Sequence, residues 1–84
     1  MTEFQNFVAW AETQRRAAEM IGLSESMVSL ILSGKRNLLP EHAMRAERAS
    51  GGLYRADRLL PDTDFIRNEA DEVIAWQVRP RLDS

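Results

Sequence analysis

Residues 14–33, QRRAAEMIGLSESMVSLILS, decide how this chain is read. The stretch predicts two short helices, over 15–21 and 25–33, joined by the tight turn Gly22-Leu23-Ser24. Ala18 is small enough to let the two helices cross closely. Gly22 ends the first helix, where a left-handed backbone costs least for a residue with no Cβ. Leu23 plugs the corner. Ser24 caps the second helix by accepting a hydrogen bond from a free backbone N–H. Val28 and Ile31, three apart, turn inward and pin the second helix to the first. Glu25, Ser26, Met27 and Ser29 are left on the outer face. A short helix presented in this way fits the major groove of DNA. An αα-corner with no DNA role would use the same packing residues, so the surrounding chain has to decide between the two.

Outward from this core motif, a first helix is expected over residues 3–13. Thr2 is its cap, and Phe4, Phe7, Val8 and Ala11 form its apolar stripe. Trp10 lies off the centre of that stripe, at the rim of the core. After the motif, Ser33-Gly34-Lys35-Arg36-Asn37 reads as a polar loop in which Gly34 stops the recognition helix. Pro40 suits the first turn of a further helix over 40–50, because the N–H it lacks would be unpaired there anyway. One or two more helical turns follow within 53–60, closed by Pro61. In residues 62–77, Phe65, Ile66, Ala70, Val73, Ile74 and Trp76 recur near helical period and predict a last helix. Met20 and Met44 are expected as core filler. The fold expected is therefore all-α: a compact five- or six-helix bundle with a central helix-turn-helix. Residues 1–62 are expected to form the DNA-binding domain, and residues 63–84 a C-terminal helix and tail.

The composition narrows the function. The chain has 84 residues, enough for one domain with one modest core and no room for two catalytic lobes. It has no cysteine and a single histidine, His42, which removes disulfides, thiolate chemistry and the usual zinc sites. No glycine-rich phosphate loop is present, and the acidic clusters near Asp62 and Asp71 read as helix caps and solvated surface. No enzyme, cofactor or metal is therefore expected. There is no apolar run of membrane-spanning length, and MTEFQNFVAW is not patterned as a signal peptide. The net charge is −2, unevenly spread. Residues 1–58 hold eight basic and seven acidic side chains, whereas residues 59–84 hold three basic and six acidic. The acidic end is thus a separate surface from the DNA face, and phosphate contacts need only a local basic patch.

Several later motifs carry a family likeness. The run AAEMIGLSESMVSLILSGKRNLLPEHAMRAERASGG, with Leu60-Pro61-Asp62 after it, resembles the YdaS/Cro-type repressors of bacterial prophages, within the lambda-repressor-like class of DNA-binding domains. The shared features are a helix-turn-helix ending in a Ser-Gly-Lys-Arg loop and a Pro-Glu-started helix running into Glu47-Arg48-Ala49-Ser50-Gly51-Gly52. Leu60 departs from the arginine of the closing motif, Tyr54-Arg55 replaces small β-branched residues, and Leu30-Ile31 replaces a polar–aromatic pair. The resemblance covers about residues 14–62. It implies a cytoplasmic bacterial transcriptional regulator, bound to the nucleoid when on DNA, that acts at a prophage switch or in a toxin–antitoxin-like pair.

Roles follow from side-chain chemistry. Glu25 can accept from a cytosine amino group, Ser26 and Ser29 can read several bases, and Met27 can touch a thymine methyl. An acid in a first helical turn also favours the helix dipole whatever it reads, so Glu25 has two explanations. Gln14, Arg15, Arg16 and Ser24 near the helix starts, and Ser33, Lys35, Arg36 and Asn37 in the loop, are candidates for the phosphate backbone. Such proteins usually bind double-stranded operator DNA as dimers. Phe65, Ile66, Val73, Ile74 and Trp76 are therefore candidate homodimer contacts, with packing on their own domain as the alternative. A second function remains open: an antitoxin-like module whose acidic C-terminal segment binds a protein partner.

Overall fold

Thr2 opens the chain with a reciprocal cap. Its hydroxyl accepts from the Gln5 N–H at 3.1 Å and its own N–H donates to Gln5 Oε1 at 2.7 Å. In the computed structural model, which describes residues 2–78, this cap starts α1, Glu3–Trp10. α1 ends earlier than the apolar stripe suggested. Glu12 takes a left-handed backbone (φ 78°), and Thr13 is used as the cap of the next helix, accepting from the Arg16 N–H at 3.0 Å. α2 spans Gln14–Ile21 and α3 spans Glu25–Leu32. α4, Pro40–Ala49, begins at its proline as expected, and α5, Ala56–Leu59, is a single turn.

The helices enclose one core. Phe7, Ala17, Ile21, Val28, Ala43, Ala46 and Ala56 are wholly buried, so α1, α2, α3, α4 and α5 all contribute. Small residues dominate the α2–α4 contact and let those helices approach closely. Trp10 stacks on Phe7 with ring centroids 6.0 Å apart and stays 39% exposed, at the rim as expected. Tyr54 closes the same cluster edge-on to Phe7 at 5.8 Å. Met44 packs against the core, whereas Met20, expected as filler, points to solvent.

The last segment corrects the all-α expectation. Residues 62–77 do not form a helix. They form an antiparallel hairpin of β1, Thr63–Arg67, and β2, Val73–Val78, so the described residues form five helices plus a two-stranded sheet rather than a helical bundle. Two physical causes are visible. Apart from Ala75, the apolar residues of the two strands are β-branched or aromatic, types that suit a half-buried pleated surface. Between them, Asn68 builds the turn: its Oδ1 accepts from the N–H of Ala70 at 2.9 Å and of Glu72 at 3.0 Å, and Asp71 adopts φ 63°. Phe65 faces Trp76 across the pair, and a bulge after Ile66 shifts the register so that Arg67 faces Val73. The tail at residues 79–84, part of the predicted C-terminal helix and tail, lies outside the described residues.

The hairpin is fastened to the helical body by charge as well as by apolar burial. Val73 is buried to 1% exposure. Arg67 grips Glu47 of α4 with two hydrogen bonds, 2.8 Å to Oε2 and 2.6 Å to Oε1, and also reaches Asp57 at 2.7 Å and the Asp71 carbonyl at 2.7 Å. Glu47 Oε1 also accepts from the Ala56 N–H at 2.9 Å, so one carboxylate ties α4, α5 and β1 together. Arg55 adds an exposed pair with Asp71 at 2.9 Å. The Arg67 hydrogen bonds hold the Glu47 carboxyl below the usual carboxylate range, outweighing the burial that pushes it up.

A pH dependence follows. A depressed carboxylate contributes stability that is present above its unfolded-state value and lost as pH falls through its folded-state value. Thermal melts of wild type and Glu47→Gln are therefore expected to differ most near neutrality and to converge as pH drops from about 5 to about 2. A constant difference across that window would show that Glu47 is not the titrating group.

Candidate nucleic-acid interface

The α2–turn–α3 unit is set by local backbone chemistry. Gly22 sits at φ 76°, and its N–H donates to the Ala18 carbonyl, closing α2 with a left-handed cap. Arg45 of α4 donates to the Ile21 carbonyl at 3.3 Å, and a Cβ on Gly22 would collide with that guanidinium. Ser24 caps α3 by accepting from the Met27 N–H at 3.1 Å. Its hydroxyl is thereby used as an acceptor, and its proton remains available to donate. Val28 is fully buried, while Leu23 and Ile31 pack against the core from partly exposed positions, as expected. The helices of the motif, read as 15–21 and 25–33, run Gln14–Ile21 and Glu25–Leu32, so Ser33 is the cap residue rather than the last helical one.

The structure gathers part of the predicted reading face. Gln14, Glu25, Ser26 and Ser29 line one open depression with Leu30. Glu25, Ser26 and Ser29 are all exposed. Gln14 brings the first turn of α2 to the flank of α3, where the N–H groups of that turn left uncapped by Thr13 can serve a phosphate. Met27 is not in this depression. It is half-buried and lines a second groove with Leu23, Ile31, Leu39, Lys35, Arg36, Asn37 and His42. One residue adds 100° along a helix, which carries position 27 past the 25/26/29/30 face and onto the flank with Ile31.

The basic loop after α3 is held open at its backbone. Gly34 N donates to Ile31 at 3.1 Å, while Lys35 N at 2.9 Å and Arg36 N at 3.3 Å both donate to the Leu30 carbonyl. Ser33, Lys35, Arg36 and Asn37 are exposed. Among the described residues Lys35 and Arg36 have no carboxylate partner. Ser33 differs: its hydroxyl donates to the Leu30 carbonyl at 3.1 Å, so its proton is turned inward. Arg15 and Arg16 are each met by a carboxylate one turn away, Glu19 at 3.6 Å and Glu12 at 3.4 Å. These pairs are exposed and weak, and a phosphate can displace them. His42 is buried beneath the second groove, not on the outer face of α4, and burial lowers its imidazole below the ordinary value. Among the described residues, no cluster of metal-ligating side chains is present, and no helix is long and apolar enough to cross a membrane.

The candidate dimer residues divide between two environments. Val73 is sealed in the protein's own core and Phe65 packs against it, so neither is a free contact surface; alternation along each strand turns them inward. Ile66 at 50%, Ile74 at 62% and Trp76 at 39% remain exposed, joined by Val78 at 64%.

Sequence reading missed Thr13 and Leu30. Thr13 was absorbed into the first helix, although a threonine directly before a polar helical turn is itself a capping signal. Leu30 was noted only as a departure from the family pattern; its position four residues past Ser26, on the same helical face, was the available signal. Compared with family models, curated proteins and solved structures, the chain gives no match.

Proposed function

We propose that this protein is a sequence-specific DNA-binding regulator of transcription, of the prophage-repressor kind that residues 14–62 resemble, acting in the bacterial cytoplasm. The observation that carries the reading is the depression shared by Gln14 of α2 and Glu25, Ser26 and Ser29 of α3, with Lys35 and Arg36 exposed in the loop that follows α3. Hydrogen-bonding groups able to read base edges stand beside donors able to hold phosphates, on a helix short enough to enter the major groove. Ser24 and Asn37 add uncharged donors at the two ends of α3. Glu25 accepts from cytosine, while Ser26 and Ser29 read their bases by hydroxyl. Backbone amide shifts on adding a short duplex are the test. The expected changes cluster at Gln14, Ser24 to Ser29 and Lys35 to Asn37. Changes concentrated on the hairpin, with that face silent, would contradict the assignment.

The reading includes a homodimer built on the hairpin. β2, VIAWQV, carries no charge, and charge is the usual protection of an exposed sheet edge. Pairing it with itself in a second copy places no like charges together. Each molecule measures 36 × 33 × 21 Å, so two side by side can present their α3 helices about one DNA turn, roughly 34 Å, apart. Ile74→Asp is expected to give a folded monomer by sedimentation and to weaken binding to a two-half-site duplex far more than to a single half-site. A wild-type protein that sediments as a monomer both free and on DNA would remove the dimer from the account.

A further inference from the structure

We infer that Leu30 is a specificity-determining residue that reads the C5-methyl group of a thymine, and this assignment rests on the DNA-binding reading above. Leu30 lines the same depression as Gln14, Glu25, Ser26 and Ser29, and among the described residues it is the one apolar side chain there. It is half-buried, yet it belongs neither to the core nor to the side chains packed against it, so core packing does not explain its presence on this face. Its backbone is fixed: the Leu30 carbonyl accepts from Ser33 Oγ at 3.1 Å, from Lys35 N at 2.9 Å and from Arg36 N at 3.3 Å. The backbone that carries the side chain is therefore held in place before any ligand arrives.

The occupant follows from chemistry. An apolar group in a polar depression gains only if what enters presents apolar surface. Of the base-edge groups in the major groove, only the thymine methyl is apolar; the others are hydrogen-bond donors or acceptors. Met27, the other apolar residue near this face, lines the opposite groove and is not in the depression. Glu25 in the same depression accepts from a cytosine amino group, so the half-site is expected to place a thymine and a cytosine close together.

The test starts from a duplex selected from random sequence. Each thymine of its half-site is replaced in turn by deoxyuridine, which removes the methyl and leaves every hydrogen-bonding group in place. One position is expected to weaken wild-type binding by about fourfold, the factor for one buried methyl. Leu30→Ala is expected to bind more weakly and to be indifferent to uracil at that position. Met27→Ala is expected to keep the sensitivity. Melting curves establish that both variants are folded. A selected duplex with no uracil-sensitive thymine overturns the Leu30 assignment alone, as does sensitivity that survives Leu30→Ala or vanishes in Met27→Ala. Failure to select any duplex overturns the DNA-binding reading itself, and this inference with it.

Discussion

Arg67→Met is expected to cost about 3–5 kcal/mol of stability. The guanidinium is the main partner of Glu47, a carboxylate whose side chain is only 10% exposed. Removing it leaves a buried charge with one backbone N–H for company, Ala56. The apolar part of the methionine replaces the packing of the arginine stem, so the loss reports the uncompensated charge rather than a cavity. Adding Glu47→Gln is expected to recover more than half of it, because the neutral amide still accepts from Ala56 and no longer needs a cation. Urea denaturation of the two singles and the double gives the coupling directly. A single-variant loss under about 1 kcal/mol would place this network among weak surface pairs. Residue 67 fastens the hairpin to the helical body, and the hairpin is the surface on which the proposed dimer rests.

The second large effect is on binding. Replacing Lys35 and Arg36 together with alanine is expected to weaken association with every duplex, related or not, by about tenfold or more. The slope of log affinity against log salt is expected to fall by about two, one for each lost phosphate contact. Both side chains are exposed and, among the described residues, lack carboxylate partners, so the melting temperature is expected to hold. Ser26→Ala supplies the contrast. It is expected to leave the salt slope alone and to cost discrimination of about 1–3 kcal/mol at one or two base positions. If the loop variant changed base preference while keeping its salt slope, the roles of loop and helix would have to be exchanged.

The parts of the fold that were legible in the sequence are those whose causes are local. Gly22, Ser24 and Val28 each meet a need set by residues within one turn, so the α2–turn–α3 unit follows from the residues themselves. The start of α4 at Pro40 was readable for the same reason. The hairpin was not. Phe65, Ile66, Ala70, Val73, Ile74 and Trp76 satisfy a helical stripe about as well as two short strands, and periodicity alone does not separate them. The deciding contacts are the side-chain turn at Asn68 and the grip of Arg67 on Glu47, twenty residues away in sequence. A long-range ion pair leaves no mark on a hydrophobic pattern.

The site shows the same division. Gln14, Glu25, Ser26 and Ser29 were identified from their places on the motif and meet in one depression. Met27 was grouped with them because it is adjacent in sequence, but the 100° step of the helix carries it around the flank and leaves Leu30 in its place. The inward turn of the Ser33 hydroxyl and the pairing of Arg15 and Arg16 with Glu19 and Glu12 are side-chain choices that residue type does not reveal.

Selection from a pool of random duplex DNA at moderate salt, followed by sequencing of what the protein retains, tests the central claim most directly. The account predicts enrichment of an inverted repeat with half-sites about one helical turn apart, each containing a thymine near a cytosine. Retention that is weak, lost with modest salt and free of any enriched sequence would contradict it, because a reading face of this kind would then be reading nothing.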